Sequence, residues 1–160
     1  MRSYSVWDPV RPVGTVTMEP VSLYWEYRAE LPEPPEGFPR LYFHGAAGTT
    51  SNLGVFRPED GMAVLTGRIS RRTLGHDPGE GRFSLSETPW RPLDVPGFSV
   101  PVLGVKTEPG YRLLFWERGD IPEEAVSRFC FFRRTVIRDE AYLLLSVDER
   151  GDPVLPEISP

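Results

Sequence analysis

The chain has 160 residues, a formal net charge of -5, 39% hydrophobic and 12% aromatic residues, and a single cysteine. That length suits one domain, able to bury roughly two-thirds of its unfolded surface without a disulfide or metal. The composition excludes chain-wide disorder, a disulfide framework and a cysteine-rich zinc site. The acidic balance argues against nucleic acid as a partner, because phosphate binding needs a basic face. The amino-terminal residues carry no apolar leader, and no window approaches the ~18 apolar residues of a membrane span. The expectation is a cytoplasmic protein without membrane contact.

Eighteen prolines and fifteen glycines are spread along the chain and cut it into short pieces. Long helices have little room, and many short strands with turns between them are expected. The fold class read from this pattern is mainly β: an antiparallel β-sandwich or open barrel of meandering hairpins, with one or two short helices.

Residues 1–14 read as an extended arm, since Pro9 and Pro12 interrupt regular hydrogen bonding; Trp7 would pin the arm to a single β domain over 15–156, followed by a tail over 157–160. Val16 to Met18 predicts a short strand. Leu23 to Leu31 predicts a better one, with Leu23, Trp25, Tyr27 and Ala29 on one face and Tyr24, Glu26, Arg28 and Glu30 on the other. Pro32, Pro34 and Pro35 end it. Arg40 to His44 is the next strand, and the small polar loop Gly45 to Ser51 follows. Asn52 to Ser70 reads as strand, turn, strand. Pro58 sets the φ of a type I turn there, and Gly61 closes it with a bulge. These three pieces suggest a meander, and Leu41, Phe43, Leu53, Val55 and Val64 are expected in the core.

Phe83 and Leu85 share one face of a strand over Arg82 to Glu87. The proline-dense stretch 88–110 predicts an irregular excursion with one strand at Val102 to Lys106. Tyr111 to Glu117 reads as a buried strand holding Leu113 and Phe115. Asp120 to Arg134 predicts a helix capped by Asp120, with strand as the alternative because Phe129, Phe131 and Phe132 favour β. Tyr142 to Val147 and Pro153 to Leu155 predict a closing hairpin across Gly151, with Leu143 and Leu145 inward.

The elements Ser22-Leu23-Tyr24-Trp25, Arg40-Leu41-Tyr42, Asn52-Leu53-Gly54-Val55, Pro58-Glu59-Asp60-Gly61-Met62, Ile69 and Leu74-Gly75 extend across about half of the chain. Together they resemble a family of small, uncharacterised, β-rich bacterial proteins of unknown function. The resemblance implies a small β domain that regulates or binds a partner, and no catalytic residues.

Chemistry has few places to reside. No GxSxG, HExxH, P-loop or dinucleotide fingerprint occurs. His44 ends a strand beside the small-residue loop, where a general base could sit; the plainer reading is a strand-end histidine bonded to backbone. His76 lies beside Asp77 in a turn. The Gly45 to Ser51 loop could present amides to an anion, or serve only as a connection. Cys130 stands among phenylalanines and is expected to pack as a small hydrophobe. Trp90, between Pro89 and Arg91-Pro92 in an expected loop, has two readings: a plug at the end of a sandwich, which is the plainer one, or an exposed tryptophan that forms with Arg91 and Phe98 a candidate binding surface. The resulting expectation is a non-catalytic module recognising a protein partner or a carbohydrate, without cofactor or metal. The alternative is a small hydrolase using His44 with nearby carboxylates.

Overall fold

The computed structural model describes residues 1–75, 77–108 and 110–154, without the side chain of Phe129. Its contacts divide into two compact units, Met1–Pro89 and a second beginning at Trp90.

The first unit is an eight-stranded sheet. Its strands are β1 (Arg2–Trp7), β2 (Pro12–Val21), β3 (Tyr24–Leu31), β4 (Arg40–His44), β5 (Thr50–Val55), β6 (Arg57–Glu59), β7 (Met62–Ser70) and β8 (Arg82–Ser84). The order across the sheet is β5-β4-β8-β1-β2-β3-β7-β6. β5 and β6 form the two edges, yet only Phe56 separates them in sequence. The edges must therefore meet, and the sheet curls into a nearly closed barrel. The seam is held from inside. Phe56 is fully buried, its amide donates to the Pro39 carbonyl, and the Tyr27 hydroxyl donates to the Leu53 carbonyl at 2.8 Å.

Every pairing in this sheet is antiparallel except β1 with β8, which is parallel. The expected amino-terminal arm is thus a central strand. Pro9 and Pro12 do not prevent this, because they occupy the turn and the start of β2, where a missing N–H costs no ladder bond. The expected meander is also corrected. β3 pairs with β2 and β7, and β4 with β5 and β8, so β3 and β4 stand on opposite walls of the ring. The proline-rich connection 32–39 lacks the donors for a tight hairpin and carries the chain across.

Alternation in β3 follows the sequence. Trp25, Tyr27, Ala29 and Leu31 are buried, and Glu26, Arg28 and Glu30 face outward. With Val6, Val16, Met18, Leu41, Phe43, Phe83 and Leu85 they fill the barrel. Two expected core positions fall outside. Leu23 sits in the two-residue turn between β2 and β3, and Val55 is exposed where β5 gives way to the seam. The β6–β7 turn differs from the expected one as well. Glu59 pairs with Met62, so only Asp60 and Gly61 turn the chain, at φ 50° and 79°. Positive φ at both positions matches the right-handed twist of the flanking strands, and Pro58 lies in β6 instead of in the turn. After β7 come a four-residue helix, α1 (Arg71–Leu74), and a 3-10 turn over Pro78–Glu80.

The second unit is a five-stranded antiparallel sheet of β9 (Arg91–Leu93), β10 (Val102–Lys106), β11 (Gly110–Trp116), β12 (Arg133–Ile137) and β13 (Glu140–Asp148), in the order β12-β13-β11-β10-β9. Its core holds Val95, Val102, Leu113, Phe115, Ala125, Leu145 and Val147, with Leu143 partly buried against it. The expected helix over 120–134 shrinks to α2 (Glu123–Val126), followed by a 3-10 turn over Phe129–Phe131 and then β12. Pro122, which has no side-chain acceptor, occupies the position before the helix that Asp120 was expected to cap. Val147 makes a bridge to Pro153, across a turn containing Gly151 at φ 85°. Leu155 and the expected tail lie outside the described residues.

Candidate functional site

His44 is held rather than offered. It closes β4 and is only 3% exposed. Nε2 lies 2.8 Å from the Ser86 carbonyl, which can only accept, so Nε2 carries a proton and donates it. In the neutral ring Nδ1 is then the acceptor, 3.0 Å from the Thr50 hydroxyl. The Tyr42 ring stacks nearby at 6.4 Å. A general base needs a lone pair that can reach substrate, and this one already faces a hydroxyl. Around it the same wall of the barrel carries other buried polar groups. Ser84 Oγ accepts the Ser86 amide at 2.9 Å. The Arg82 guanidinium lies 4.1 Å above the Trp7 ring and donates to the Pro9 carbonyl. Burial pulls the Arg82 pKa down to about 10, and its Nε is buried without a hydrogen-bond partner. This is a packed polar layer, not a cleft. His76 lies outside the described residues.

Of the two readings of Trp90, the exposed one is not met. Trp90 is 8% exposed, so the flanking prolines do not present the indole to solvent. Arg91 is half-buried in β9. Phe98 is half-buried too, stacked on Phe115 at 6.5 Å with the Arg128 guanidinium 5.0 Å from its ring. Prolines at 89, 92, 96 and 101 predict irregular backbone, but such backbone can fold over a core and seal its aromatic residues in.

The small-residue loop after His44 lines an open cleft of about 350 Å³ with Thr49, Arg72, Thr73, Asp77 and Glu80. Two of its amides are turned back into the loop: Gly45 N–H bonds the Thr49 carbonyl and Gly48 N–H bonds the Gly45 carbonyl. An anion would have to compete with those bonds. Cys130 is exposed, contrary to the expected burial. The 3-10 turn packs Phe131 and Phe132 against the second core and leaves the thiol outside. A shallow groove of about 500 Å³ has a mixed lining, Met1, Met18 and Tyr27 beside Thr17, Glu26, Arg28 and Arg68, and its charged side chains are paired. Arg68 pairs with Glu26 at 2.6 Å and Arg28 with Glu30 at 2.7 Å. Among the described residues, no group of three or more His, Cys, Asp or Glu is placed to hold a metal ion, and no helix is long and apolar enough to cross a membrane.

One feature escaped the strand-alternation argument. The β2–β3 turn presents three large apolar side chains, Val21, Leu23 and Tyr24, exposed by 37%, 75% and 47%. Ser22 adopts φ 56° to make the turn. The Arg71 amide donates to the Leu23 carbonyl at 2.9 Å, and the Arg71 guanidinium donates to the Ser22 carbonyl at 3.2 Å. That guanidinium also lies 5.4 Å from the Trp25 ring, so the tip is tied to the barrel beneath it. The signal in the sequence was the apolar run Val21 to Trp25 with one small polar residue, Ser22. A two-residue turn there pushes Leu23 out of the strand phase.

Comparison with protein-family models, with curated proteins and with solved structures gives no match. The chain's class rests on the fold alone: a mainly β protein with one barrel-like sheet and one antiparallel sheet.

Proposed function

We propose that this protein is a non-catalytic binding module that docks a partner protein on the Val21–Tyr24 tip. The observation that carries this reading is the 75% exposure of Leu23 on a turn whose backbone is braced by Arg71. A rigid apolar projection loses little conformational entropy on docking, which favours its use as an anchor. Arg71 and Arg72 beside it favour a socket with an acidic rim. A carbohydrate is less well served, because the buried Trp90 offers no ring platform and the tip is led by an aliphatic side chain. A hydrolase built on His44 has against it that both ring nitrogens face other groups.

A photoreactive amino acid at position 23 tests the proposal. In extract from the source cells it should give a discrete protein adduct that Arg72→Glu weakens, while the same group at position 38 gives none. Absence of an adduct at 23, or glycan binding that survives Leu23→Asp, would refute it.

A further inference from the structure

The two edges of the second sheet are not alike. β9 is three residues long and contains Pro92, which blunts it against pairing. β12 is five residues long, Arg133–Ile137, with no proline, no glycine and an unbroken register against β13. It is joined to β13 by a two-residue turn, Arg138 and Asp139, both at positive φ. In such a hairpin the residues flanking the turn, Ile137 and Glu140, exchange backbone hydrogen bonds. Alternation then aims Thr135 and Arg133 at β13, and turns the N–H and C=O of Arg134 and Val136 away from the sheet. Consistently, the Ala141 carbonyl, opposite Val136, points the other way and accepts from Glu117 on the β11 side. On this edge Arg133, Arg134 and Val136 are exposed, Val136 by 63%.

We propose that the β12 edge accepts an extended acidic segment of a partner protein as a sixth strand. Charge selects the occupant. Arg133 has no ion pair with a described residue, Arg134 has one, with Glu117 at 3.0 Å, and the strand carries no carboxylate. A neighbouring strand with carboxylates near Arg133 and Arg134 and an apolar residue near Val136 meets both demands. A second copy of this chain supplies no carboxylate, because antiparallel pairing about Thr135 would set Arg133 opposite Ile137 and Arg134 opposite Val136 of the other copy. This surface belongs to a different unit from the Val21–Tyr24 tip, and its test is separate.

The test is fluorescence anisotropy with a labelled peptide, Thr-Val-Val-Thr-Glu-Glu, which in antiparallel register sets carboxylates beside Arg133 and Arg134 and a valine beside Val136, and with its lysine counterpart, Thr-Val-Val-Thr-Lys-Lys. The acidic peptide should bind, more weakly as salt rises, and the lysine peptide should not. Val136→Pro removes an outward N–H while sparing the ladder to β13. It should keep the melting midpoint and weaken acidic-peptide binding roughly tenfold. Arg133→Glu should shift preference toward the lysine peptide, and Leu23→Asp should change neither result. Failure of the acidic peptide to bind, equal binding of both peptides, or full binding by a folded Val136→Pro would overturn the proposal. So would a dimer in sedimentation that Val136→Pro dissociates, since the edge would then belong to a second copy.

Discussion

Gly81→Ala should destabilise the first unit more than Gly61→Ala, although backbone conformation points the other way. Gly61 has φ 79° and open space where a Cβ would go, so alanine there meets only left-handed strain. That strain costs roughly 1–2 kcal/mol, and part of it is offset by the reduced freedom of the unfolded chain. Gly81 is extended, with φ -102°, a conformation any residue adopts. Its Cβ, however, would stand 2.6 Å from the Phe43 ring at Cε2 and 2.7 Å from the His44 carbonyl. Phe43 is buried and packed at a tilt against Phe83, ring centroids 5.0 Å apart, and the His44 backbone is committed to the β4–β8 ladder, so neither moves cheaply. Overpacking of this kind costs about 1–3 kcal/mol, occasionally more, and here the upper end is expected. In urea melts, with a slope of about 1–3 kcal/mol per molar, the Gly81→Ala midpoint should fall by roughly 1 M or more. Phe43→Leu should recover part of the loss in the double variant, giving a coupling of about 0.5–3 kcal/mol. A Gly81→Ala midpoint at the wild-type value, or a larger drop for Gly61→Ala, would refute the packing argument.

Three further outcomes follow from the same geometry. Phe115→Ala empties the centre of the second core and should cost about 3–5 kcal/mol, read from the melt of that unit; a loss under roughly 1 kcal/mol would contradict its burial. Cys130 should react with a thiol reagent in the native protein at a rate close to that of the unfolded chain, because it is exposed; strong native protection would contradict the placement. Burial raises the Tyr27 pKa above its ordinary value, so the stability linked to its neutral hydroxyl is fully present below about pH 10 and is lost as pH rises through the folded-state value. Tyr27→Phe should therefore cost about 1 kcal/mol at neutral pH, by leaving the Leu53 carbonyl without this donor, and its stability should fall less than that of the wild type above pH 10. An unchanged alkaline slope would show that Tyr27 does not carry this dependence.

Period-two alternation and turn residues were enough to read β3, β4, β10 and β11 and to place Trp25, Leu41, Phe43, Leu113 and Leu145 inside. These are local matters: successive side chains of a strand point to opposite faces, and proline and glycine limit where strands end. Partnership between strands was not legible. Nothing near Arg2–Trp7 reveals that its neighbours are β2 and, in parallel, a strand some seventy-five residues on. Closure of the barrel depends on β5 and β6 lying at opposite edges with one residue between them, which no window of sequence contains. The candidate site suffered most. Whether Trp90 is a platform or a plug, whether Cys130 is inside or outside, and whether His44 has an available nitrogen all depend on groups distant in sequence, such as Ser86 for His44. The amino-acid sequence by itself determined the secondary structure type and most of the inward-facing residues, because those follow from each residue's own backbone and side-chain preferences. The tertiary structure alone decided strand order and which of the loop and candidate-site residues are exposed, because both arise from contacts that only the folded chain brings together.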